Sequence, residues 1–597
     1  MSWYICMAIS LLVLIFAILF AAIVYSGKYK RGRILTPFNI LFGGLFTAVF
    51  ISLLPVYGGI LSGMTNSRLK TVAFALHNTF QIFTIDADRE IILEGISSPR
   101  PWLSSVYSAF LSIVLVAAPI LTFGFVLSFF KNVSAFVSYI LRYNRDVYVF
   151  SELNEKSLSL ASDIRKNHKK AVLVFTDVFG SSDEVSYELE EQAREIRAIC
   201  FKKDILAINF RIHRAKSQMV FCTIGEDETE NITQGLKLID LYRDRDNTRL
   251  FVFSSRVDGE LLLTRADKGK LKVRRVNEVR SLINHLLYDN GFELFEHAKQ
   301  MPDGSRKISA LIIGLGRHGT EMLKALSWYC QMDGYHVEID AFDSDEKAED
   351  RFRALAPELM SGEYNGVRIP GEAEYTIRIH SGMDVTTKSF ADAISGLKDT
   401  TYAFVSLGSD EMNINTAVEL RMLFERMKIK PVIRSVVYST DERKALEGIT
   451  NYRGQPYGIG FTGDTETSFS EAVIMNSELE AEALRLHMKW GEEEAFWQYE
   501  YNYNSSVASA IHMKARVKCG IAGADKKEEE LTETERVTIE NLEHRRWNAY
   551  MRSEGFVYSG SPAKSSRNDL AKMHHDLVDY SALAEEERRK DSRVGTK

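Results

Sequence analysis

Aromatic and basic side chains occur close together near the end of the sequence, where they could bind a nucleotide. Flat aromatic rings stack on a base, and guanidinium and imidazole groups donate hydrogen bonds to phosphate oxygens. The candidate ligand-binding residues are Arg546, Trp547, Tyr550, Arg552, Tyr558, His574 and Tyr580. A structural alternative stays open, in which the rings form a small core and the arginines pair with Glu543, Glu554 and the glutamates near residue 586.

A glycine-rich turn near the middle of the chain is a second candidate nucleotide site. Its GxGxxG pattern follows an apolar strand and precedes a helix, where a phosphate can approach the backbone at the helix N-terminus. Asp343 ends the next strand, where an acid can bind a ribose hydroxyl. The candidate cofactor-binding residues are Gly314, Gly316, Arg317, His318, Gly319, Asp343 and Ser409. The motif predicts a dinucleotide-type fold and leaves open whether a nucleotide occupies it.

Short β-rich runs alternate with helix-length polar stretches from residue 146 onward, which predicts parallel sheets with crossover helices. The pattern occurs twice, so the sequence predicts two tandem α/β units. Strands are predicted at 146–150, 171–176, 197–201, 218–223 and 249–254 in the first unit, and at 309–316, 336–343, 375–380, 402–408 and 431–437 in the second.

The first α/β unit lacks the glycines of the second. Its equivalent turn, 151–157, reads Ser-Glu-Leu-Asn-Glu-Lys-Ser, so a pyrophosphate could not approach the backbone closely. Asp177 follows the second predicted strand, and we expect it to have a structural role. The first unit is therefore expected to be a degenerate nucleotide fold.

The apolar residues concentrate before about residue 145, although the whole chain of 597 residues is 45% hydrophobic and 26% charged. Segments 4–25, 36–56 and 106–130 are each long enough to cross about 30 Å of hydrocarbon as a helix. A signal peptide is disfavoured for the first segment, because its apolar run exceeds roughly 15 residues and further spans follow. The sequence therefore predicts a bundle of three transmembrane helices.

Basic residues follow the first and third spans, which places both of these positions inside the cell by the positive-inside rule. These residues are Lys28, Lys30, Arg31, Arg33, Lys131, Arg142 and Arg145. We therefore expect a cell (inner) membrane protein with its N-terminus outside and a large cytoplasmic C-terminal region.

Residues 69–84 are apolar but too short to cross a bilayer, and charged residues follow at 86–90. Two alternatives stay open, a re-entrant helix and an amphipathic helix on the membrane surface. In a re-entrant helix, polar side chains from several subunits would line a pore. The pore candidates are His77, Asn78, Thr79, Gln81 and Asp86.

Composition and motifs disfavour several other functions. The net charge is only −6 and no long basic tract occurs, so we expect no direct contact with nucleic acid. The five cysteines are scattered without a CxxC pair, which argues against a zinc site or a disulfide framework. The sequence offers no hydride-transfer constellation, Ser-His-Asp arrangement or Walker loop, so we expect no enzyme activity, no catalytic residue and no metal site.

Two segments, 222–238 (CTIGEDETENITQGLKL) and 406–420 (SLGSDEMNINTAVEL), resemble the fourth-strand turn of regulator-of-K+-conductance (RCK) domains, also called TrkA-N domains. The stretch 201–221 is similar to the third-strand segment of that family. The resemblance implies Rossmann-like domains that assemble and transmit ligand binding to a pore. No TVGYG-like filter occurs in the sequence, so potassium selectivity is not implied.

Segments 538–560 and 573–593 closely resemble the ryanodine-receptor (RyR) repeat domain as it occurs in bacterial proteins. Bacterial proteins that join membrane spans to such repeats have been proposed, by genomic association, as effectors that recognise nucleotide second messengers in antiviral immunity. The resemblance therefore implies a nucleotide-sensing role, without naming the ligand.

Together these patterns predict a multi-domain fold, made of an α-helical transmembrane bundle, two tandem α/β Rossmann-like RCK/TrkA-N domains and a mainly α RyR domain. The predicted limits are 1–130 for the transmembrane region, 131–145 for a linker helix, 146–300 and 306–470 for the α/β domains, and 480–597 for the RyR domain.

The expected function is a homo-oligomeric, ligand-gated membrane channel or pore-forming effector in the lipid membrane. Its trigger would be a small nucleotide ligand, namely NAD(H), an ADP-ribose derivative, ATP or a cyclic nucleotide, supplied by a second-messenger-producing enzyme. The alternative is an NAD(H)- or ATP-sensing regulatory subunit of a potassium or other ion transport system.

Overall fold

The computed structural model describes residues 3–25, 37–84, 101–178, 184–360, 363–364, 367–368, 375–449 and 451–596. The chain packs into two compact units. The membrane unit comprises 1–145, 174–182 and 197–214, and the α/β unit comprises 146–173, 183–196 and 215–597.

Long apolar helices begin the membrane unit, namely α1 (Trp3–Tyr25), α2 (Pro37–Ile60), α3 (Ser67–Thr84) and α4 (Pro101–Ile140). Three stretches within them, Trp3–Ala21, Ile40–Ile60 and Ser105–Phe123, are long and apolar enough to cross a membrane. These helices confirm the three predicted apolar spans and indicate membrane association. The basic residues of 28–33 lie outside the described residues, so the orientation stays a prediction.

Small and polar residues hold the helices of the membrane unit together. A Cβ atom on Gly44 would lie 2.2 Å from the Cβ of Ala17, so glycine permits close approach of α1 and α2. The Ser10 hydroxyl donates to the Ala48 carbonyl at 2.9 Å. The Tyr107 hydroxyl of α4 donates to the carbonyl of Ser52 in α2 at 2.8 Å. Such bonds satisfy polar groups within the protein, as a membrane interior without water would require.

The end of α4 packs against the segment 205–214, which contains two short 3-10 turns, Ile205–Ala207 and Phe210–Ile212. The Tyr139 ring, fully buried, meets the Phe210 ring edge-on with centroids 5.6 Å apart. The Arg214 amide donates to the Tyr143 carbonyl at 3.0 Å. The membrane helix α4 is therefore joined directly to the chain segment that precedes a strand of the first sheet.

The first sheet has six strands in the order β3-β2-β1-β4-β5-β6. The pairs β2–β3, β1–β4, β4–β5 and β5–β6 are parallel, as the alternation of strand and helix predicts. The strands are β1 (Val147–Phe150), β2 (Val172–Phe175), β3 (Ile199–Cys200), β4 (Met219–Thr223), β5 (Thr248–Phe253) and β6 (Lys272–Val276). The helices are α5 (Glu155–Asn167), α6 (Glu184–Glu195), α7 (Glu228–Tyr242), α8 (Val257–Arg265) and α9 (Glu278–Asn290).

The second sheet has the order β12-β9-β8-β13-β14-β17, and the short strand β7 pairs with β8 in antiparallel orientation. Its strands are β7 (Lys299–Gln300), β8 (Arg306–Ile313), β9 (Tyr335–Asp343), β12 (Tyr375–Ser381), β13 (Tyr402–Val405), β14 (Val432–Val436) and β17 (Ile459–Thr462). The helices of this part of the chain are α10 (Glu293–Glu296), α11 (Arg317–Tyr329), α12 (Ala348–Leu355), α13 (Lys388–Gly396), α14 (Asp410–Met427) and α15 (Thr440–Glu447). Two small ribbons are formed by β10 (Glu363–Tyr364) with β11 (Val367–Arg368) and by β15 (Asn451–Tyr452) with β16 (Gln455–Pro456).

All ten strands predicted from the sequence are present, and each sheet has a sixth main strand that the sequence analysis missed. The strand β6 reads KVRRV, in which basic residues obscure the apolar run. The strand β17 reads IGFT and is only four residues long. Each of these strands is identified by its hydrogen bonds to a neighbouring strand, and a local sequence pattern contains no information about that pairing.

The C-terminal region is mainly helical, with α16 (Thr465–Ser468), α17 (Glu471–Ile474), α18 (Ser477–His487), α19 (Glu493–Gln498), α20 (Glu500–Lys518), α21 (Glu533–Ser553), the parallel pair β18 (Val557–Tyr558) and β19 (Met573–His574), and α22 (Glu585–Val594). Helices α18, α20 and α21 share one apolar core with the second sheet and with α9 and α11. The fold is therefore three apolar helices, two parallel α/β sheets and a helical C-terminal region.

Ion pairs attach the C-terminal region to the first sheet as well. Arg275 of β6 makes two hydrogen bonds with Glu500 of α20, at 2.6 and 2.7 Å. Arg249 of β5 lies 2.5 Å from a carboxylate oxygen of Glu480 in α18. The α/β unit therefore holds the C-terminal helices against both of its sheets.

Candidate ligand-binding site

A cavity of about 370 Å³ lies in the C-terminal region, along one face of α21. Aromatic and charged side chains from α20, α21, α22 and the loop around β19 line it. The lining residues include Trp490, Tyr501, Glu543, His544, Arg546, Trp547, Lys564, Arg567, His574, His575, Asp576, Glu587, Lys590 and Asp591. This volume lies within the range of small-molecule pockets, about 300–1,000 Å³.

A buried group of three charges forms the floor of the cavity. Glu543 accepts hydrogen bonds from the guanidinium groups of Arg516 and Arg546, and all three side chains are at most 3% exposed. Burial alone would raise the pKa of Glu543, but Arg546 and Arg516 outweigh it and lower the pKa. Arg546 Nη1 has no hydrogen-bond partner among the described residues. A buried donor left in this way is unusual unless water or a ligand completes it.

Two consecutive histidines form one wall. The rings of His574 and His575 stack at 4.8 Å with an interplanar angle of 8°, and His574 meets the Trp547 ring edge-on at 4.9 Å. Burial, followed by the charge of Arg567, lowers the pKa of His574 to about 3, so its ring is neutral near pH 7. Both ring nitrogens of His575 lack a hydrogen-bond partner in the described part of the chain.

The same histidines, with Asp576, present potential metal-ligand atoms within 4.8 Å of one another. The lone pairs of an imidazole lie in its ring plane, and the two ring planes are nearly parallel. Both rings therefore cannot direct a lone pair at one ion, so this geometry suits a stacked wall better than a metal centre.

A third polar contact lies beside Trp547. His544 Nδ1 is 3.3 Å from Asp591 Oδ2, and the His544 ring lies 5.9 Å from that of Trp547 at an interplanar angle of 25°. Burial raises the pKa of Asp591 to about 6, although its hydrogen bond with His544 opposes this shift. The cavity therefore contains a carboxyl group that changes charge near neutral pH.

The structure brings together three of the predicted ligand-binding residues, because Arg546, Trp547 and His574 line the cavity. Tyr550 is buried against Trp328 of α11, with ring centroids 6.2 Å apart. Tyr580 donates to a carboxylate oxygen of Glu540 at 2.5 Å.

Arg552 and Tyr558 also lie elsewhere. Arg552 Nε is 3.7 Å from a carboxylate oxygen of Glu358, and the Tyr558 amide donates to the same carboxylate at 3.0 Å. These two residues attach the C-terminal region to the second α/β fold, through a carboxylate that the structural alternative did not name.

The lining residues that sequence reasoning missed include Trp490, Tyr501, Lys564 and Arg567. Lys564 and Arg567 lie in the loop between β18 and β19, and Trp490 follows α18. Loop positions have no periodicity, so only the fold brings them to α21.

The predicted glycine-rich turn connects β8 to α11. Gly314 has a φ of +88°, and a Cβ on Gly319 would lie 1.8 Å from the Gly314 carbonyl oxygen, so both positions require glycine for packing. Gly316 is the N-cap residue of α11, and a Cβ there would meet nothing within 4 Å. Only Gly316 is therefore open towards a ligand.

Asp343 is engaged with the turn itself. Its carboxylate accepts from the Leu315 amide at 2.7 Å and from the Asp345 amide at 2.8 Å. The predicted ribose-binding acid thus holds the backbone of the glycine-rich loop. This contact fixes the turn in place without a ligand.

The remaining predicted residues surround this turn. Arg317 is exposed, while the His318 ring meets Tyr438 at 5.8 Å, and burial together with Arg317 lowers the pKa of His318 to about 4. The Ser409 side chain accepts from the Met412 amide at 3.3 Å and caps α14.

The predicted pore residues divide between two faces of α3. Asn78 and Thr79 are buried and donate to the carbonyls of Phe74 and Ala75, at 3.0 and 2.7 Å. His77 is exposed and Gln81 half-buried, four residues apart on the other face. Asp86 lies outside the described residues.

A comparison of the chain with protein-family models and with curated proteins finds no match.

Proposed function

We propose that the protein is a membrane effector in which a nucleotide-derived ligand, bound in the C-terminal cavity, opens a permeation path through the apolar helices. The cavity carries this proposal, because it combines Trp547 with the buried, partly unsatisfied guanidinium of Arg546. A stacking ring beside a cation is the chemistry that recognises a base and its phosphate.

The resemblance of segments 538–560 and 573–593 to RyR repeats, and of segments 222–238 and 406–420 to RCK/TrkA-N domains, supports this proposal. Both likenesses belong to proteins with cytoplasmic ligand sensing, and the latter to proteins with membrane gating. We therefore assign the C-terminal region to the cytoplasm and include antiviral defence as the biological setting of the proposal.

Contacts within the α/β unit offer a route for the signal. Helix α21 contributes Trp547 to the cavity and ends at an ion pair between Glu554 and Arg280 of α9. The same carboxylate lies 3.1 Å from Lys324 of α11, the helix that follows the glycine-rich turn. A ligand that shifts α21 would therefore act on both α/β folds at once.

The route into the membrane begins at segment 205–214. This segment packs on the end of α4, where Tyr139 and Phe210 meet. Gating through it requires that the ligand bind the open arrangement more tightly than the closed one. If the closed state is more stable than the open state by a few kcal/mol, the ligand must bind the open state more tightly by a comparable free energy.

The test is ligand-dependent flux through the full chain reconstituted in dye-loaded liposomes. NAD, ADP-ribose, ATP and cyclic nucleotides are added in turn, and efflux is compared between the wild type and Trp547→Ala. We expect one of these ligands to release the dye or potassium from wild-type liposomes, and Trp547→Ala to abolish the release. Binding of a ligand in the cavity without any change in flux would overturn the gating proposal.

A further inference from the structure

The charged and aromatic groups that line the cavity differ in how deeply they are buried. Arg546 and His575 are 1% and 6% exposed, whereas Trp490 is 42% exposed and the Lys564 side chain 64% exposed. The two residues with unsatisfied nitrogens thus lie deep, and the most exposed aromatic and cationic side chains lie at the mouth. A ligand must satisfy the deep donors to gain from burial.

From this arrangement we infer that the cavity takes a ligand of mononucleotide size, with its phosphate against Arg546 and His575 and its base against Trp547. This inference rests on the proposed nucleotide-sensing function and narrows its ligand class. A ligand with two bases is disfavoured, since about 370 Å³ lies near the lower end of the range for small-molecule pockets.

Two carboxylates that line the cavity are paired with cations, so they do not prevent an anion from binding at its floor. Glu543 is already held by Arg516 and Arg546. Glu587 lies 2.7 Å from Lys590 Nζ and 3.1 Å from Lys564 Nζ. Carboxylates paired in this way repel a phosphate less than free ones do, because each has a cation within contact distance.

Two more carboxyl groups, Asp591 and Asp576, complete the set. Asp591 contacts His544 at 3.3 Å, and burial raises the pKa of both acids. Asp576 Oδ2 lies 3.3 Å from His575 Nε2, outside hydrogen-bond geometry. The ring nitrogens of His575 therefore keep their hydrogen-bonding capacity for a ligand.

Aromatic side chains form the part of the cavity against which the base would stack. Trp547 and Tyr501 are half-buried and line the cavity with Trp490. The Trp547 ring contacts the rings of His544 and His574, which restrict its movement, so stacking on it costs little side-chain entropy. Stacking of a base on such a ring contributes about 1–3 kcal/mol.

The test uses the full chain in detergent and measures dissociation constants by calorimetry. The probes are the four 5′-mononucleotides, their 3′,5′-cyclic forms and the matching nucleosides, with NAD and cyclic di-AMP as two-base ligands. We expect a mononucleotide to bind roughly 10- to 100-fold more tightly than its nucleoside, since a charge-assisted bond to Arg546 is lost without the phosphate. We also expect the two-base ligands to bind at least 10-fold more weakly than that mononucleotide.

Arg546→Gln should reduce mononucleotide affinity to that of the nucleoside. Arg545→Gln is the matched control, because Arg545 is the neighbour on α21, lies 3.9 Å from Asp333 and does not line the cavity. If Arg546→Gln does not fold, the ratio of mononucleotide to nucleoside affinity in the wild type decides.

The outcomes separate the two proposals. Equal affinity for nucleotide and nucleoside, or tighter binding of a two-base ligand, overturns the inference. A two-base ligand that opens liposomes would leave the gating proposal standing. A mononucleotide that binds as expected but changes no flux would leave the inference standing and overturn gating, and binding of no probe would overturn both.

Discussion

Glu554 forms a two-point ion pair with Arg280, with Nη2 of the guanidinium 3.0 and 3.1 Å from the two carboxylate oxygens. The two residues are 274 positions apart, at the C-terminal end of α21 and in α9. Arg280 Nε also contacts Glu321 at 3.2 Å. The helix that carries Trp547 is thus attached by an ion pair to α9, and Arg280 in turn contacts Glu321 of α11.

Glu554→Gln should destabilise the protein by roughly 2–4 kcal/mol at pH 7, because the largely buried charges of Arg280 and Lys324 would then share a single carboxylate, that of Glu321. The measurement is thermal and chemical unfolding of the full chain followed by tryptophan fluorescence. Glu533→Gln is the control at the other end of the same helix, where the carboxylate is 85% exposed. Equal stability of the two variants would show that the pair does not hold the helix.

The stability of the wild type should fall in acid partly because of Glu554. Burial would raise its pKa, but Arg280 and Lys324 outweigh burial and lower the pKa from 4.5 to about 2. A carboxyl group whose pKa is lower in the folded protein stabilises the fold at pH values above its ordinary pKa. This contribution is lost as the pH falls from about 4.5 to 2. Glu554→Gln should remove this part of the acid dependence, roughly 3 kcal/mol, when unfolding is measured between pH 2 and pH 7.

Two of the tyrosines predicted to bind a ligand should leave affinity unchanged. Tyr580→Phe removes only the hydroxyl that donates to Glu540, and Tyr550→Phe changes a ring buried against Trp328. Trp547→Ala should weaken nucleotide binding by about 10-fold or more, since one stacking face is lost. Calorimetric titration of the three variants therefore tests whether the ligand contacts the cavity residues alone or also the other residues that the sequence predicted to bind it.

The glycine-rich turn offers a comparison between two glycines of one motif. Gly319→Ala should destabilise the protein by about 1–3 kcal/mol, because its Cβ would meet the Gly314 carbonyl. Gly316→Asp should fold at least as well as the wild type, since an aspartate caps a helix N-terminus favourably. We expect Gly316→Asp to retain mononucleotide binding, measured by calorimetry, because the ligand site is in the C-terminal cavity. Loss of binding only in Gly316→Asp would move the sensor to this turn.

The sequence predicted the elements better than the sites. Apolar runs of the right length located the three spans and the ten strands, because hydrophobic periodicity is local information. Arg552 and Tyr550 looked equivalent to Arg546 and Trp547 in the sequence, since all four lie on α21. A cavity occupies only one side of a helix, and Arg567 reaches it from a loop. Which residues meet there depends on tertiary packing.

The face of α3 that carries His77 and Gln81 provides the test of permeation. His77 and Gln81 lie on one face of the helix, while the buried Asn78 side chain donates to the Phe74 carbonyl within the protein. If copies of α3 surround a path, Gln81→Glu should make the ligand-induced current more selective for cations, since a ring of carboxylates attracts them. The measurement is the reversal potential across a planar bilayer in asymmetric salt.

Ser112→Ala is the control for this prediction. It also changes a polar residue of an apolar helix, but the Ser112 hydroxyl donates to the Ser108 carbonyl of its own helix α4 at 2.9 Å. We expect it to leave the reversal potential unchanged. An equal reversal potential in Gln81→Glu and the wild type, with ligand-induced current retained, would place α3 away from the path and favour the surface-helix alternative.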